Sequence, residues 1–293
     1  MKKRRLGTSS LHISELSLGC MSLPLEKKEA TSIIETALEY GINYFDTADL
    51  YNKGLNEALI GDILKPHRHN IVLATKVGNR FTADRDDWTW DPSRAHIIKS
   101  VHDSLKRLQT DYIDVYQLHG GTIEDNFDEI IDTFEQLKKE GYIREYGISS
   151  IRPNVFVPFS KSKAVSNMMQ YNMLDRSAEE YFNVLAENGV SVLTRGTVAK
   201  GLLTDNYAKK IKPYMSYTEE ELQTLLSSIS NNYNLHALAL AFNLENAAVA
   251  SAVVGARTTT QLLDTIKAYE QMPKQFPNEI KALLKLTKYK EHR

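Results

Sequence analysis

Short apolar runs alternate along this chain with longer stretches whose apolar positions recur every three or four residues. Leu16–Gly19 reads as a strand, and Lys27 to Tyr40 as a helix stopped by Gly41. Asn43–Asp46 (strand), Asn56–Leu64 (helix) and Ile71–Lys76 (strand) follow. Pro92 is suited to the first turn of a helix reaching about Leu108. Tyr112–His119 is a strand, Asn126–Glu140 a helix with Gly141 as its stop, and Ile143–Ser149 the next strand. The rhythm repeats through a helical turn at Asn154–Ser160, a strand at Ser166–Tyr171, a helix at Ala178–Asn188 and a strand at Val190–Thr194. A longer helical region, the strand Ala252–Gly255 and the helix Thr260–Tyr269 complete it. Gln275 to Arg293 reads as an amphipathic, Lys-rich helix with Ile280, Leu283 and Leu284 on its apolar side, and His67-Arg68-His69 as a solvated loop.

Repeated β-α alternation calls for a parallel sheet covered by helices. About eight recurrences favour a closed (β/α)8 TIM barrel of class α/β over an open sheet, as a single domain spanning residues 1–293. Lys2 to Ser14 then forms an N-terminal β-hairpin closing the barrel bottom. The rival open sheet, in its dinucleotide-binding form, needs G-x-G-x-x-G after the first strand. The chain has Gly19-Cys-Met-Ser-Leu-Pro24 there, and nowhere a G-x-x-x-x-G-K-[ST] loop.

Composition narrows the classes. The 36 Lys+Arg against 37 Asp+Glu give no electrostatic reason to expect nucleic acid. One cysteine, Cys20, excludes an internal disulfide and a Cys-based zinc site, and reads as buried and structural. The basic start, Met1 to Arg5, leads into residues too polar for a signal core, and the longest apolar-rich stretch, Ala237 to Ala256, is interrupted by Asn243, Glu245 and Asn246. The expectation is a soluble cytoplasmic protein with no membrane partner.

In a β/α barrel chemistry collects at the C-terminal ends of the strands. Asp46 closes the second barrel strand, Lys76 the third and His119 the fourth, and Tyr51 follows Asp46 by five residues. Alternation puts Val72, Ala74 and Lys76 on one face, as it does Val115, Gln117 and His119. If those faces point inward, Asp46, Tyr51, Lys76 and His119 meet in one pocket. Singly, a Lys-Asp pair is most often structural, a His a core residue, and Tyr51 one tyrosine among 15. Together they describe a phenol activated by an ammonium that a carboxylate holds, beside an imidazole able to polarise a carbonyl oxygen.

At these residues the sequence resembles the aldo-keto reductase family. Tyr44-Phe-Asp-Thr-Ala-Asp-Leu-Tyr-Asn52 is similar to its D-T-A-x-x-Y element, with Glu57 and Gly61 in register. Ile71 to Val77 resembles the strand of its catalytic lysine, Ser104–Leu108 with Asp111–His119 the signature leading to its histidine, and Ile143–Ser149 its fifth strand. The resemblance covers roughly residues 2 to 272. It implies reduction of aldehydes or ketones by direct hydride transfer from NADPH (NADH being the lesser expectation) with no metal. It also implies Tyr51 as proton donor, with Asp46, Lys76 and His119 beside it.

For the cofactor the resemblance implies Gly19, Met21 and Asp46 near the nicotinamide ribose, and Ser149 and Gln170 on the carboxamide. Arg195 would lie against the nicotinamide ring, and Gly196, Val198 and Lys200 around the pyrophosphate. Gly255, Arg257 and Gln261 would hold the adenosine side, with Arg257 on the 2′-phosphate; Thr265 stands where the family often has Asn near the adenine, and Ser150 where many members have Asn. Trp88 and Trp90 read equally well as walls of a substrate pocket or as loop-packing anchors. The partner is a small carbonyl substrate. A monomer is expected, with a homo-oligomer left open.

Two rivals of other classes stand beside this reading. One is a redox-sensing binding module like the potassium-channel β-subunits, which share the fold and much of the tetrad. The other is a lyase forming a Schiff base on Lys76, which needs a neutral lysine where Asp46 would keep it charged.

Overall fold

The computed structural model describes residues 1–81 and 87–292. The expected loop between Phe81 and Asp91 therefore lies partly outside the described residues, as does Arg293 of the tail. Two short strands, β1 (Lys3–Arg5) and β2 (His12–Ser14), pair antiparallel before the barrel begins. The barrel then alternates β3 (Leu16–Gly19), α1 (Lys27–Glu39), β4 (Tyr44–Asp46), α2 (Leu55–Leu64) and β5 (Val72–Val77). An antiparallel ribbon, β6 (Asn79–Phe81) with β7 (Trp88–Trp90), precedes α3 (Arg94–Leu108). There follow β8 (Ile113–Leu118), α4 (Phe127–Lys139), β9 (Ile143–Ser149), α5 (Pro153–Phe159), β10 (Ser166–Gln170), α6 (Phe182–Glu187) and β11 (Ser191–Arg195). The chain ends on α7 (Glu219–Ser230), α8 (Leu235–Glu245), β12 (Val249–Val254), α9 (Thr259–Glu270) and α10 (Asn278–Leu283).

Eight parallel strands close in the order β10-β11-β12-β3-β4-β5-β8-β9, the expected (β/α)8 barrel. The helix starts are written in the sequence by side chains that accept from free backbone N–H groups. Ser93 caps α3, Asn126 α4, Asn234 α8 and Thr258 α9, while Thr218 and Glu221 form a reciprocal capping box on α7.

The β1–β2 hairpin does plug the bottom. Leu6 and Ile13 are fully buried in one cluster with Val72, Ala74, Val115, Val165 and Leu193, which face the barrel interior. Each such apolar side chain contributes about 1.5–3 kcal/mol on burial. Asn43, just before β4, ties the hairpin down: its Nδ2 donates to the His12 carbonyl (2.9 Å) and its Oδ1 accepts from Ser14 N (2.7 Å).

Several elements depart from expectation. Pro92 precedes the Ser93 cap instead of sitting inside α3. The helix expected over Ala178–Asn188 breaks into a 3-10 turn at Glu179–Tyr181 and the short α6. Arg68 is not solvated: its side chain is 9% exposed, pairs with Asp114 at 2.7 Å and lies over the Tyr112 ring. The tail is helical only over α10, and Leu284 is already extended. Beyond it, tertiary partners take the backbone groups a helix would use internally. Lys285 N donates to Tyr217 Oη (2.7 Å), and the His292 carbonyl accepts from Asn154 N (2.8 Å). Among the described residues no helix is long and apolar enough to cross a membrane.

Candidate active site

The side chains singled out at strand ends do converge. Asp46 is the last residue of β4, Lys76 is the penultimate residue of β5, and His119 follows β8 directly, its N–H extending the β5–β8 ladder to the Val77 carbonyl (2.7 Å). Because alternate residues of a barrel strand face inward, Lys76 rises from the layer above Ala74 and meets Gln117, its register partner on β8. Its Nζ donates to Asp46 Oδ2 at 2.6 Å, to the Thr47 carbonyl at 2.7 Å and to Tyr51 Oη at 3.2 Å. Gln117 Nε2 donates to the second Asp46 oxygen at 3.1 Å. The Tyr51 and His119 rings stand edge to face, 6.0 Å between centroids.

The electrostatics follow from burial and pairing. The Lys76 and Asp46 side chains are 1% and 4% exposed. Burial alone would push the Lys76 ammonium down, but the charges of Asp46 and Tyr51 and their hydrogen bonds outweigh it and hold the lysine protonated. Burial lowers the His119 imidazole to about 3, helped by the positive charges of Lys76 and Arg195, so the ring is neutral at pH 7. His119 Nδ1 is enclosed without a partner among the described residues.

Tyr51 is aimed by a strained turn. Asn52 and Lys53 adopt left-handed φ values of 49° and 55°, followed by Gly54 at 86°. Left-handed backbone costs a non-glycine residue roughly 1–2 kcal/mol, so something must hold it. A Cβ on Gly54 would lie 2.8 Å from Arg107 Cδ, and Arg107 pairs with the fully buried Glu57 at 2.6 Å. Glu57 also accepts from Thr75 Oγ1 at 2.6 Å, on the strand that carries Lys76. Asp49 lies in the same turn with Oδ1 enclosed and, among the described residues, unpartnered. Burial, then the Glu57 charge, pushes its carboxyl up to about 8. Sequence reading placed Glu57 in a motif but assigned no role to Arg107, Gln117 or Asp49, whose contacts cross between elements.

Two cavities flank this centre. A cavity of about 250 Å³ is lined by His119, Ser149, Arg152, Arg195, Trp88 and Trp90, among others. Trp90 both lines this cavity and anchors its loop, its Nε1 donating to Asp125 (2.9 Å). A cleft of about 460 Å³ runs past β12 and α9, lined by Val198, Lys200, Gly255, Gln261 and Thr265. The segment at its edge turns through positive φ at Gly196, Ala199, Lys200 and Gly201. Gln261 Oε1 accepts from Arg257 N (2.9 Å), and Thr265 Oγ1 donates back to the Gln261 carbonyl (3.0 Å). Arg257 extends into solvent at the start of α9. Gln170 donates to Asp175 (2.7 Å) and meets Arg195 Nη1 at 3.5 Å. Ser150 is buried, its Oγ accepting from Arg152 N (3.2 Å). Of the remaining positions, Gly19 packs against Val253, whereas Met21 is 63% exposed. Cys20 is buried, as expected, and burial raises its thiol. Among the described residues no group of three or more His, Cys, Asp or Glu side chains is placed to hold a metal ion.

The arrangement has known counterparts. "Uncharacterized oxidoreductase YqkF" of Bacillus subtilis is 50% identical over the full length of both chains. The solved structure of the aldo-keto reductase AKR11C1 from Bacillus halodurans in its holo form superposes with a TM-score of 0.97 at 51% identity, covering 100% of this chain and 99% of that one. Its apo form gives 0.89 at 48% identity over the same shares. The sequence pattern of the Aldo/keto reductase family matches residues 6–285. This chain is an oxidoreductase-type barrel that belongs to the Aldo/keto reductase family.

Proposed function

We propose that the chain reduces small aldehydes or ketones to alcohols with NADPH, using Tyr51 as proton donor. The observation that carries this reading is the Lys76 ammonium, bonded at once to Asp46 (2.6 Å) and Tyr51 (3.2 Å) beside a neutral His119. An ammonium fixed at that distance stabilises negative charge as it develops on the phenol oxygen, which is what proton donation to a carbonyl requires. Asp46 and the Thr47 carbonyl keep that ammonium in place. His119, uncharged, is suited to hydrogen-bond the substrate oxygen without competing as an acid.

The residues present fit a nicotinamide dinucleotide. The left-handed positions at Gly196 and at Ala199, Lys200 and Gly201 would let main chain approach phosphate, with Lys200 supplying charge. Arg257 and the α9 N-terminus suit the extra phosphate of NADPH, and Gly255 and Gln261 border the same cleft. Ser149 and Gln170 would take the carboxamide, Arg195 would lie on the ring, and Gly19, Met21 and Asp46 would border the ribose. When bound, the cofactor supplies hydride. The higher TM-score with the holo than with the apo form of AKR11C1 supports a site already arranged for it.

The test is NADPH consumption with 4-nitrobenzaldehyde. Tyr51→Phe is expected to lower kcat by about 10²–10⁴-fold while NADPH still binds, and Arg257→Ala to weaken NADPH binding more than NADH binding. Equal turnover by the Tyr51→Phe variant refutes the proton-donor role.

A further inference from the structure

We propose that Arg152 is an anion anchor in the substrate pocket, so that the preferred substrates are carbonyl compounds carrying a carboxylate or phosphate a short spacer from the reacting carbon. This rests on the carbonyl-reductase reading above. Arg152 caps the start of α5 and lines the same 250 Å³ cavity as His119. It is half-buried, yet among the described residues its side chain makes a single hydrogen bond, from Nη1 to the Gly121 carbonyl at 3.0 Å, and no ion pair. A guanidinium has five N–H donors in a planar fork that matches carboxylate and phosphate, so most of its donors are uncommitted.

Two nearby carboxylates among the described residues are engaged elsewhere. Asp125 accepts from Trp90 Nε1 (2.9 Å) and Thr122 N (2.6 Å), and Asp175 accepts from Gln170 (2.7 Å). Arg195 adds a second cation to the cavity, and its charge is felt at His119. The adjoining space of about 930 Å³, which shares Arg152, is lined by Lys288 and Lys290 together with the acids Asp175 and Glu291, and Lys288 also pairs with Glu180 at 3.9 Å. A partly desolvated cation without a counter-ion gains most when a ligand supplies one.

The reach is short. Gly121, which holds the guanidinium, lies two residues beyond His119, at most about 7 Å along the chain. A small molecule whose carbonyl meets His119 and Tyr51 thus brings a terminal anion to Arg152, with Trp88 and Trp90 walling the apolar spacer.

The experiment compares kcat/KM with NADPH for succinic semialdehyde against its methyl ester, and for glyceraldehyde 3-phosphate against glyceraldehyde, in wild type, Arg152→Gln and Arg152→Lys. The wild type is expected to favour the anionic member of at least one pair by about tenfold to a hundredfold. Which pair responds tells carboxylate from phosphate. In Arg152→Gln that ratio should fall to near one, Arg152→Lys should restore part of it, and added salt should compress it. A wild-type ratio near one for both pairs, or a ratio unchanged in Arg152→Gln, overturns the proposal. If no aldehyde is turned over, the reductase reading fails separately. Calorimetric titration of the NADP-loaded protein with succinic semialdehyde and with glyceraldehyde 3-phosphate then decides: binding lost in Arg152→Gln supports the anchor, and binding unchanged in it, or none to the wild type, refutes it.

Discussion

A lysine as buried as Lys76 is stable only as a charged member of a filled hydrogen-bond set, and its three donors are matched by Asp46, Thr47 and Tyr51. Lys76→Met should therefore do two separable things. It should lower kcat by orders of magnitude, and it should destabilise the fold by about 3–5 kcal/mol by leaving the Asp46 carboxylate unpaired. Adding Asp46→Asn should return much of the stability, read by denaturant unfolding, and none of the activity. A double variant as unstable as the single one would show that the loss lies elsewhere. Asp49 makes a prediction about pH. Its carboxyl rises from 3.8 to about 8 in the folded chain, first through burial and then through Glu57. A carboxyl raised on folding lends its full stability below the unfolded value, loses it as pH climbs from there towards about 8, and stays at its lowest above. Asp49→Asn cannot ionise, so its gain in Tm over wild type should be larger at pH 9 than at pH 5. An equal gain at both would contradict the burial argument.

At the scale of elements, the strands were legible because buried parallel strands read as dense apolar runs and because Asp46, Lys76 and His119 sit where those runs end. The glycine stops after α1 and α4 were legible for the same local reason, Gly41 and Gly141 both holding positive φ. What escaped was decided between elements. Arg68 is drawn inward by Asp114, far along the chain, and the tail leaves helix because Tyr217 and Asn154 offer it partners that no local pattern announces. The Asn52–Lys53 turn has no glycine at either strained position, so its left-handed backbone depends on the Gly54–Arg107–Glu57 clamp. Gly61 keeps that clamp in place: a Cβ there would come within 2.5 Å of Leu108 Cα and 2.6 Å of the Arg107 carbonyl. Gly61→Ala should push α2 and α3 apart, costing about 1–3 kcal/mol and lowering kcat as Arg107 shifts. A loss of stability with kcat intact would uncouple this packing from the aim of Tyr51.

Across the whole molecule, the end that secures the barrel and the end that carries the candidate chemistry are opposite. Leu6 and Ile13 fill the bottom, while the tetrad and both cavities open at the top. Leu6→Ala should cost about 2–5 kcal/mol by leaving a cavity, with kcat unchanged at temperatures where the protein remains folded. A proportionate fall in kcat would mean that the two ends communicate. The ring has a seam. Strands β3 and β12 pair across nearly the whole chain, where Ser17 and Ser251 hydroxyls, 234 residues apart, meet at 2.5 Å and Arg4 reaches the Leu244 and Val249 carbonyls. Loop closure of that length is slow to be repaid. While the seam is unmade, β3 and β12 are bare parallel edges with no turn to cover them, and such edges recruit other chains as readily as their own partner. The closed ring thus makes the last strand to be folded the one that decides between a monodisperse refolding product and a precipitate. The balance shifts towards precipitate as protein concentration rises.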